Sequence, residues 1–182
     1  MLQTPSQTVG PFFAYGLTAR QYGYDFSSIL DDLLIKPETE GERIYINGKI
    51  FDGNGLAIPD AMIELYQEDL LRLNNKQGFG RLGTGTSSDI SFTFTTVKPQ
   101  AIDGQAPNIN VILFMRGSLR HLYTRLYFSD ETEANQQDSL LNAIPEERRN
   151  TLIAYKKIVN GQVFYEFNIT MQGEGETVFF DL

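Results

Sequence analysis

The sequence has no cysteine and no tryptophan, and a single histidine, His121, in 182 residues. Without cysteine there can be no disulfide, no thiolate nucleophile and no zinc–cysteine centre. One imidazole is too few for a typical transition-metal site, because such ions prefer imidazole or thiolate to neutral amide oxygen. A histidine base acting on a serine would need a framework such as the Gly-x-Ser-x-Gly elbow, which does not occur, so His121 reads as structural. Basic residues are also scarce. Fifteen Lys and Arg stand against 23 Asp and Glu, for a net charge of −8, which argues against nucleic acid and anionic membranes as partners. No apolar run approaches the ~18 residues of a membrane span. The opening MLQTPSQTVGPFF has neither a basic region nor an apolar signal core, so a cytoplasmic protein is expected. Ordered carboxylate spacing of the calcium-loop kind is missing too, and SDETE and GEGE read as solvated turns.

What is present is apolar and aromatic. Hydrophobic residues make up 41%, with 13 Phe and nine Tyr. That composition suits a β-rich core and also supplies material for an interface or an aromatic pocket. A chain this long fits one domain and buries roughly 70% of its unfolded surface. The stretch QAPNINVILFMRGSLRHLYTRLYFSDE, residues 105–131, organises the rest. It reads as two strands joined through Arg116-Gly117-Ser118. Because side chains alternate along a strand, Asn108, Asn110, Ile112 and Phe114 share one face of the first. Tyr123, Arg125 and Tyr127 share one face of the second. One strand thus offers two amides where a metal enzyme would place imidazoles, and the other offers a guanidinium flanked by phenols.

Taken in order, residues 1–16 carry two prolines and two glycines and read as an extended arm, not a helix, with aromatics near Gly10-Pro11 that suit it for lying on another surface. SSILDDLL (27–34) reads as a short helix with a Ser cap. GERIYINGKIFDGNG is a strand, with Asn47-Gly48 read as a bulge, and Asp52 to Gly55 form a turn before a strand in AMIELYQ. Glu68 to Thr86 reads as a glycine-containing loop, since no Gly-Lys-Ser/Thr follows to make a phosphate cradle. SFTFTTV alternates as a strand. ETEANQQDSLLNAI and PEERRNTLI are short helices, and Asn160-Gly161 predicts a type I′ hairpin. ETVFFDL is apolar enough to pair or pack. The sum is an all-β, mainly antiparallel β-sandwich with one or two short helices in its connections, one domain over 1–182.

Four motifs, TPSQTVGPFF, FDGNGLAIPDAMIELYQ, TRLYFSDETEAN and QGEGETVFFDL, run from one end of the chain to the other. Together they closely resemble the α subunits of the intradiol ring-cleavage dioxygenases that act on protocatechuate (3,4-dihydroxybenzoate). The resemblance implies the intradiol β-sandwich and an αβ hetero-oligomer using O2 and Fe(III) to form 3-carboxy-cis,cis-muconate. It places the iron on the partner β subunit, held there by two tyrosines and two histidines. At the matching positions this chain has Asn74, Ile102, Asn108 and Asn110, so no metal and no catalytic residue is expected here. Gln105 stands where the iron-bearing pattern has arginine. The same resemblance carries a substrate-binding role to Thr8, Gly10 and Pro11 of the arm and to Arg125. Phe12 stands where the family usually has tyrosine, so a ring is kept and a hydroxyl lost. The physics is compatible: glycine permits close approach, proline stiffens, and a guanidinium makes charge-assisted bonds to a carboxylate. The alternative is a stand-alone sandwich module, for binding or scaffolding, with a vestigial metal cleft. A third possibility, an independent dioxygenase, lacks iron ligands.

Overall fold

A computed structural model of the chain describes residues 7–10, 12–73, 76–85 and 88–181. Ten strands follow in order: β1 Arg43–Gly48, β2 Ile50–Phe51, β3 Met62–Tyr66, β4 Phe79–Gly83, β5 Phe92–Val97, β6 Asn108–Phe114, β7 Leu122–Phe128, β8 Ile153–Val159, β9 Gln162–Glu166 and β10 Ile169–Thr170. Among the described residues, α1 Phe13–Leu17 precedes β1, and four short helices rather than the one or two expected lie in the connections: α2 Glu68–Leu71, α3 Thr132–Gln137, α4 Ser139–Ala143 and α5 Glu146–Arg149. Eight strands form one sheet in the order β4-β3-β6-β7-β8-β9-β1-β5, and β2 pairs with β10 in a small second sheet.

The sheet is mixed, which corrects the expectation of an antiparallel sandwich. β7 runs parallel to β8, and β1 parallel to β9. The connection from β7 to β8 explains the first of these: it contains α3, α4 and α5, and a helical crossover lets consecutive strands lie parallel. Only two residue pairs hold that junction, Tyr127↔Ile153 and Phe128↔Ala154. The sheet curls until its two edge strands approach, and residues 31–34 fill the gap. Arg81 N of β4 donates to Asp31 O at 2.9 Å, while Thr95 N of β5 donates to Asp32 O at 2.8 Å and Leu34 N to Thr95 O at 3.0 Å. The result is close to a barrel, with Ile46, Ile63, Phe94, Val111, Leu126 and Tyr165 among the buried residues of one core.

Those edge bonds also overturn the helix expected over 27–34. The backbone there is spent on β4 and β5, and Asp31 Oδ1 takes Leu33 N at 3.0 Å, a local bond that competes with helix formation. The expected loop from Glu68 to Thr86 contains α2 and β4 instead, the glycines of FGRLG having hidden the strand alternation. The bulge at Asn47-Gly48 is absent, since β1 pairs in regular register with β5 from Arg43↔Val97 to Gly48↔Phe92. After Gly48 the chain changes sheet, and a Cβ at that position would strike the Phe167 carbonyl and the Phe92 ring. The arm is also not wholly extended: α1 begins at Phe13, with Thr18 N donating to Ala14 O at 2.8 Å, and a 3-10 turn covers Ala19–Tyr22. Packed rings override the glycine and proline signal here, Phe13 lying 5.5 Å from Phe114 and Tyr15 4.4 Å from Tyr22.

The central strand pair and the hairpin match expectation, whereas the stretch read as one helix over ETEANQQDSLLNAI is broken at the extended Asp138 into α3 and α4, and PEERRNTLI holds α5 followed by a 3-10 turn. Asn160 and Gly161 take positive φ of 52° and 79°, as a type I′ turn demands. The tail pairs as well, Phe180 N donating to Tyr123 O at 2.7 Å.

Candidate functional site

β6 and β7 pair so that Asn110 faces Arg125 across the ladder and Asn108 faces Tyr127. Arg125 Nε donates to Asn110 Oδ1 at 2.9 Å, and its Nη1 donates to Gln105 Oε1 at 2.8 Å. Asn108 turns back on its own segment, Nδ2 donating to Ala106 O at 2.7 Å. Ile102 opens the turn that carries Gln105, whose N–H donates to Ile102 O at 2.9 Å. Ile102, Gln105, Asn108, Asn110 and Arg125 line a cleft of about 130 Å3, with Glu68, Asp69 and Arg72 of α2 and its C-terminal end forming the facing wall. Arg72 pairs with Glu68 at 3.0 Å and with Asp103 at 2.5 Å, closing that wall with exposed charge.

The phenol beside Arg125 has a structural task. Tyr127 is fully buried, and its pKa is pushed up to about 12, mainly by that burial. Its hydroxyl donates to Asp138 Oδ1 at 3.2 Å. Asp138, itself fully buried, also receives Leu141 N at 2.8 Å and Ala106 N at 2.9 Å, and so caps α4. Arg125 has no carboxylate within ion-pair distance among the described residues; Asp130, a possible local partner, is held by Lys98 and Lys156 instead. Ile102, Asn108 and Asn110, three of the four residues that the resemblance aligns with iron ligands, therefore meet in one cleft, with the Arg125 guanidinium fastened beside them. This donor set does not fit a ferric ion. Neutral amides are poor anchors for a high-valent cation, Ile102 offers no donor, and the Arg125 charge repels it.

The arm residues gather elsewhere on the same face of β6, where Asn110 and Phe114 lie about 13 Å apart at ~3.3 Å per residue. Gly117 N donates to Thr8 Oγ1 at 2.8 Å, tying the arm to the turn after β6. Gly10 has open space around it, and Phe12 is exposed. Between the arm and β6 lies a cavity of about 320 Å3 walled by Gly10, Tyr15, Tyr22, Phe114 and Arg116 among others. The Tyr22 phenol in that wall is shifted upward, by burial first and then by Tyr15 and Asp60. Pro11 and Asn74 lie outside the described residues. His121 sits 5.7 Å from the Phe114 ring. The α2 wall escaped the sequence reading, although Glu68 and Arg72 stand at the i,i+4 spacing that marks a helical ion pair.

The fold is that of the intradiol ring-cleavage dioxygenases. The intradiol ring-cleavage dioxygenase of Tetranychus urticae superposes with a TM-score of 0.63 at 14% identity, over 92% of this chain and 94% of that one. The protocatechuate 3,4-dioxygenase alpha chain of Burkholderia cepacia is 46% identical over 99% of this chain and 98% of its own length. That of Pseudomonas putida is 42% identical over 98% and 96%. No protein-family model matches the sequence. The chain belongs to the protocatechuate 3,4-dioxygenase α-chain family.

Proposed function

We propose that this chain is the non-iron α subunit of a heteromeric protocatechuate 3,4-dioxygenase. The enzyme breaks the bond between the two hydroxylated ring carbons, and both atoms of O2 enter the 3-carboxy-cis,cis-muconate product. Membership in the α-chain family supports this activity. The observation that carries the subunit role is the cleft, where Asn108, Asn110 and Ile102, which the resemblance aligns with the ligand positions, offer no imidazole or anionic donor and Arg125 spans Asn110 and Gln105. With no donor set for Fe(III) in that cleft, the metal belongs to a partner β subunit, which supplies the redox chemistry.

This chain's own residues bind and orient. The arm, through Thr8, Gly10, Pro11 and Phe12, forms part of the substrate pocket. Phe12 contributes a ring face without a hydroxyl, so it packs rather than hydrogen-bonds. Arg125 matches the charge of the substrate carboxylate; a cation without a carboxylate of its own keeps that capacity. Such orientation is worth much, since a misplacement of about 1 Å costs on the order of a hundredfold in rate. The whole of 1–182 acts as one intradiol-type domain in the cytoplasm; among the described residues no helix is long and apolar enough to cross a membrane.

Expression of the chain alone and together with its iron-bearing partner tests the reading. Visible absorption and protocatechuate-dependent oxygen uptake are expected only from the pair. Colour and turnover from the chain alone, or a pair whose activity does not depend on this chain, would overturn it.

A further inference from the structure

The crossover from β7 to β8 leaves an open hollow of about 340 Å3 between its helices and the start of β8. Its apolar lining is Leu141, Ile153 and the ring of Tyr155. Its polar lining is two hydroxyls, three side-chain amides and a single charge, the guanidinium of Arg149. Four other cavities of the described chain each carry carboxylates. These are Asp60 beside the arm, Glu68 and Asp69 in the cleft, Glu38 and Glu40 near Lys36, and Asp31 and Asp32 near Arg81. In a chain of net charge −8, the hollow at Arg149 is lined by none.

Arg149 is held in position without being neutralised. Its Nε donates to Ile144 O at 2.8 Å and its Nη2 to Asn142 O at 2.9 Å, which fixes the plane of the fork. Among the described residues no carboxylate lies within ion-pair distance of it. The walls are pinned as well. Ser129 N donates to Ala154 O at 3.0 Å, and Ser129 Oγ accepts from Lys156 N at 3.0 Å. Asn135 Nδ2 donates to Phe128 O at 2.8 Å, and Asn142 Nδ2 to Gln136 O at 2.7 Å. A site already ordered in this way loses little freedom when a ligand enters.

We propose that this hollow is a binding site for a small aromatic monocarboxylate, its carboxylate on Arg149 and its ring on Leu141, Ile153 and Tyr155. An inorganic anion would use the guanidinium and leave the apolar lining wet, and a neutral ring would leave the guanidinium unmatched. A carboxylate on a flat apolar body satisfies both. The Tyr155 ring offers an offset or edge-on partner for the ligand ring. An engineered cavity of about 150 Å3 holds benzene, so the hollow has room for a ring, its carboxylate and ring substituents, which the Ser129 and Thr132 hydroxyls can meet. The site shares no lining residue with the arm cavity or the Arg125 cleft, and it takes no part in ring cleavage. It is built from this chain alone and does not depend on the α-subunit reading.

Equilibrium dialysis against benzoate tests this in the αβ complex, comparing the native chain with Arg149→Gln and Tyr155→Ala. The native complex is expected to bind one equivalent of benzoate per α chain more than the Arg149→Gln complex. Tyr155→Ala is expected to bind that equivalent roughly tenfold more weakly. Tyr155 is 53% exposed, so its variant decides the matter if loss of the Arg149 bonds prevents folding, which circular dichroism and thermal melts report. Equal stoichiometry and affinity in native and folded variant complexes would overturn the proposal. Phosphate displacing benzoate at equal concentration would overturn it in favour of a site for small anions. Benzyl alcohol binding as tightly as benzoate would overturn it by showing the charge idle. Failure of the native chain to assemble with a β subunit would sink the functional reading alone; the same dialysis on the full chain by itself then decides the site.

Discussion

Arg125 has two of its nitrogens committed to Asn110 and Gln105, so its plane is held and its charge points along a fixed direction. Arg125→Gln in the assembled enzyme should lower kcat/KM for protocatechuate by about 10- to 100-fold. It should leave any turnover of unsubstituted catechol, which has no carboxylate, nearly unchanged. Steady-state oxygen uptake with both substrates checks this; an equal loss on both would assign Arg125 to holding the cleft together. Gly48 is a residue whose identity is set by space alone. A methyl group there has no room between the Phe167 carbonyl and the Phe92 ring, so Gly48→Ala should destabilise by roughly 1–3 kcal/mol in urea unfolding, the usual range for forced overpacking.

Among the elements, the hairpin between β8 and β9 depends on two successive positive φ values, at Asn160 and Gly161. Gly161→Ala should cost about 1 kcal/mol, measured as a shift of the denaturation midpoint. The junction of β7 and β8 has a different support. With only two residue pairs in its ladder, it is braced by Lys98, which lies 4.4 Å from the Phe128 ring and 4.6 Å from the Tyr165 ring. The Lys98 ammonium also meets Asp130 at 2.8 Å and Glu131 at 3.2 Å. Burial alone would raise the Asp130 carboxyl, yet hydrogen bonds from Lys156, Lys98 and Tyr165 outweigh it and hold the group well below the usual carboxylate range. A lowered folded value stabilises the native state fully above the ordinary value of 3.8, and that contribution is lost as pH falls toward the folded value. Lys98→Met should therefore weaken the fold at neutral pH by about 2 kcal/mol. It should also make the decline in stability below pH 3.8 shallower than in the native chain. Urea titrations from pH 2 to 7 read both effects.

For the whole molecule, the cleft predicts an outcome with metal. Ferric iron added to the isolated chain should produce no visible charge-transfer band and no rise in Tm, because a ligand that binds only the native state would raise it. Asn108→His/Asn110→His should not restore binding by itself, since Ile102 still offers no donor and Arg125 still repels the ion. A coloured double variant would show that the remaining positions count for less than the geometry suggests.

The alternation of Asn108, Asn110 and Arg125 and the Asn160-Gly161 turn were legible in the sequence. Period-two side chains, a two-residue turn and the absence of imidazole are local facts, carried by neighbouring residues. The helix at Phe13, the strand at Phe79, the parallel β7–β8 junction and the α2 wall of the cleft were not. Each is fixed by partners far away in the chain: rings on β6 for the arm, the backbone of residues 31–34 for the sheet edges, a helical crossover for the parallel pair. The sequence determined what this cleft cannot hold. Only the folded chain decided what stands there instead, a guanidinium tied to two amides, because that depends on Gln105, Asn110 and Arg125 meeting across a turn and a strand ladder.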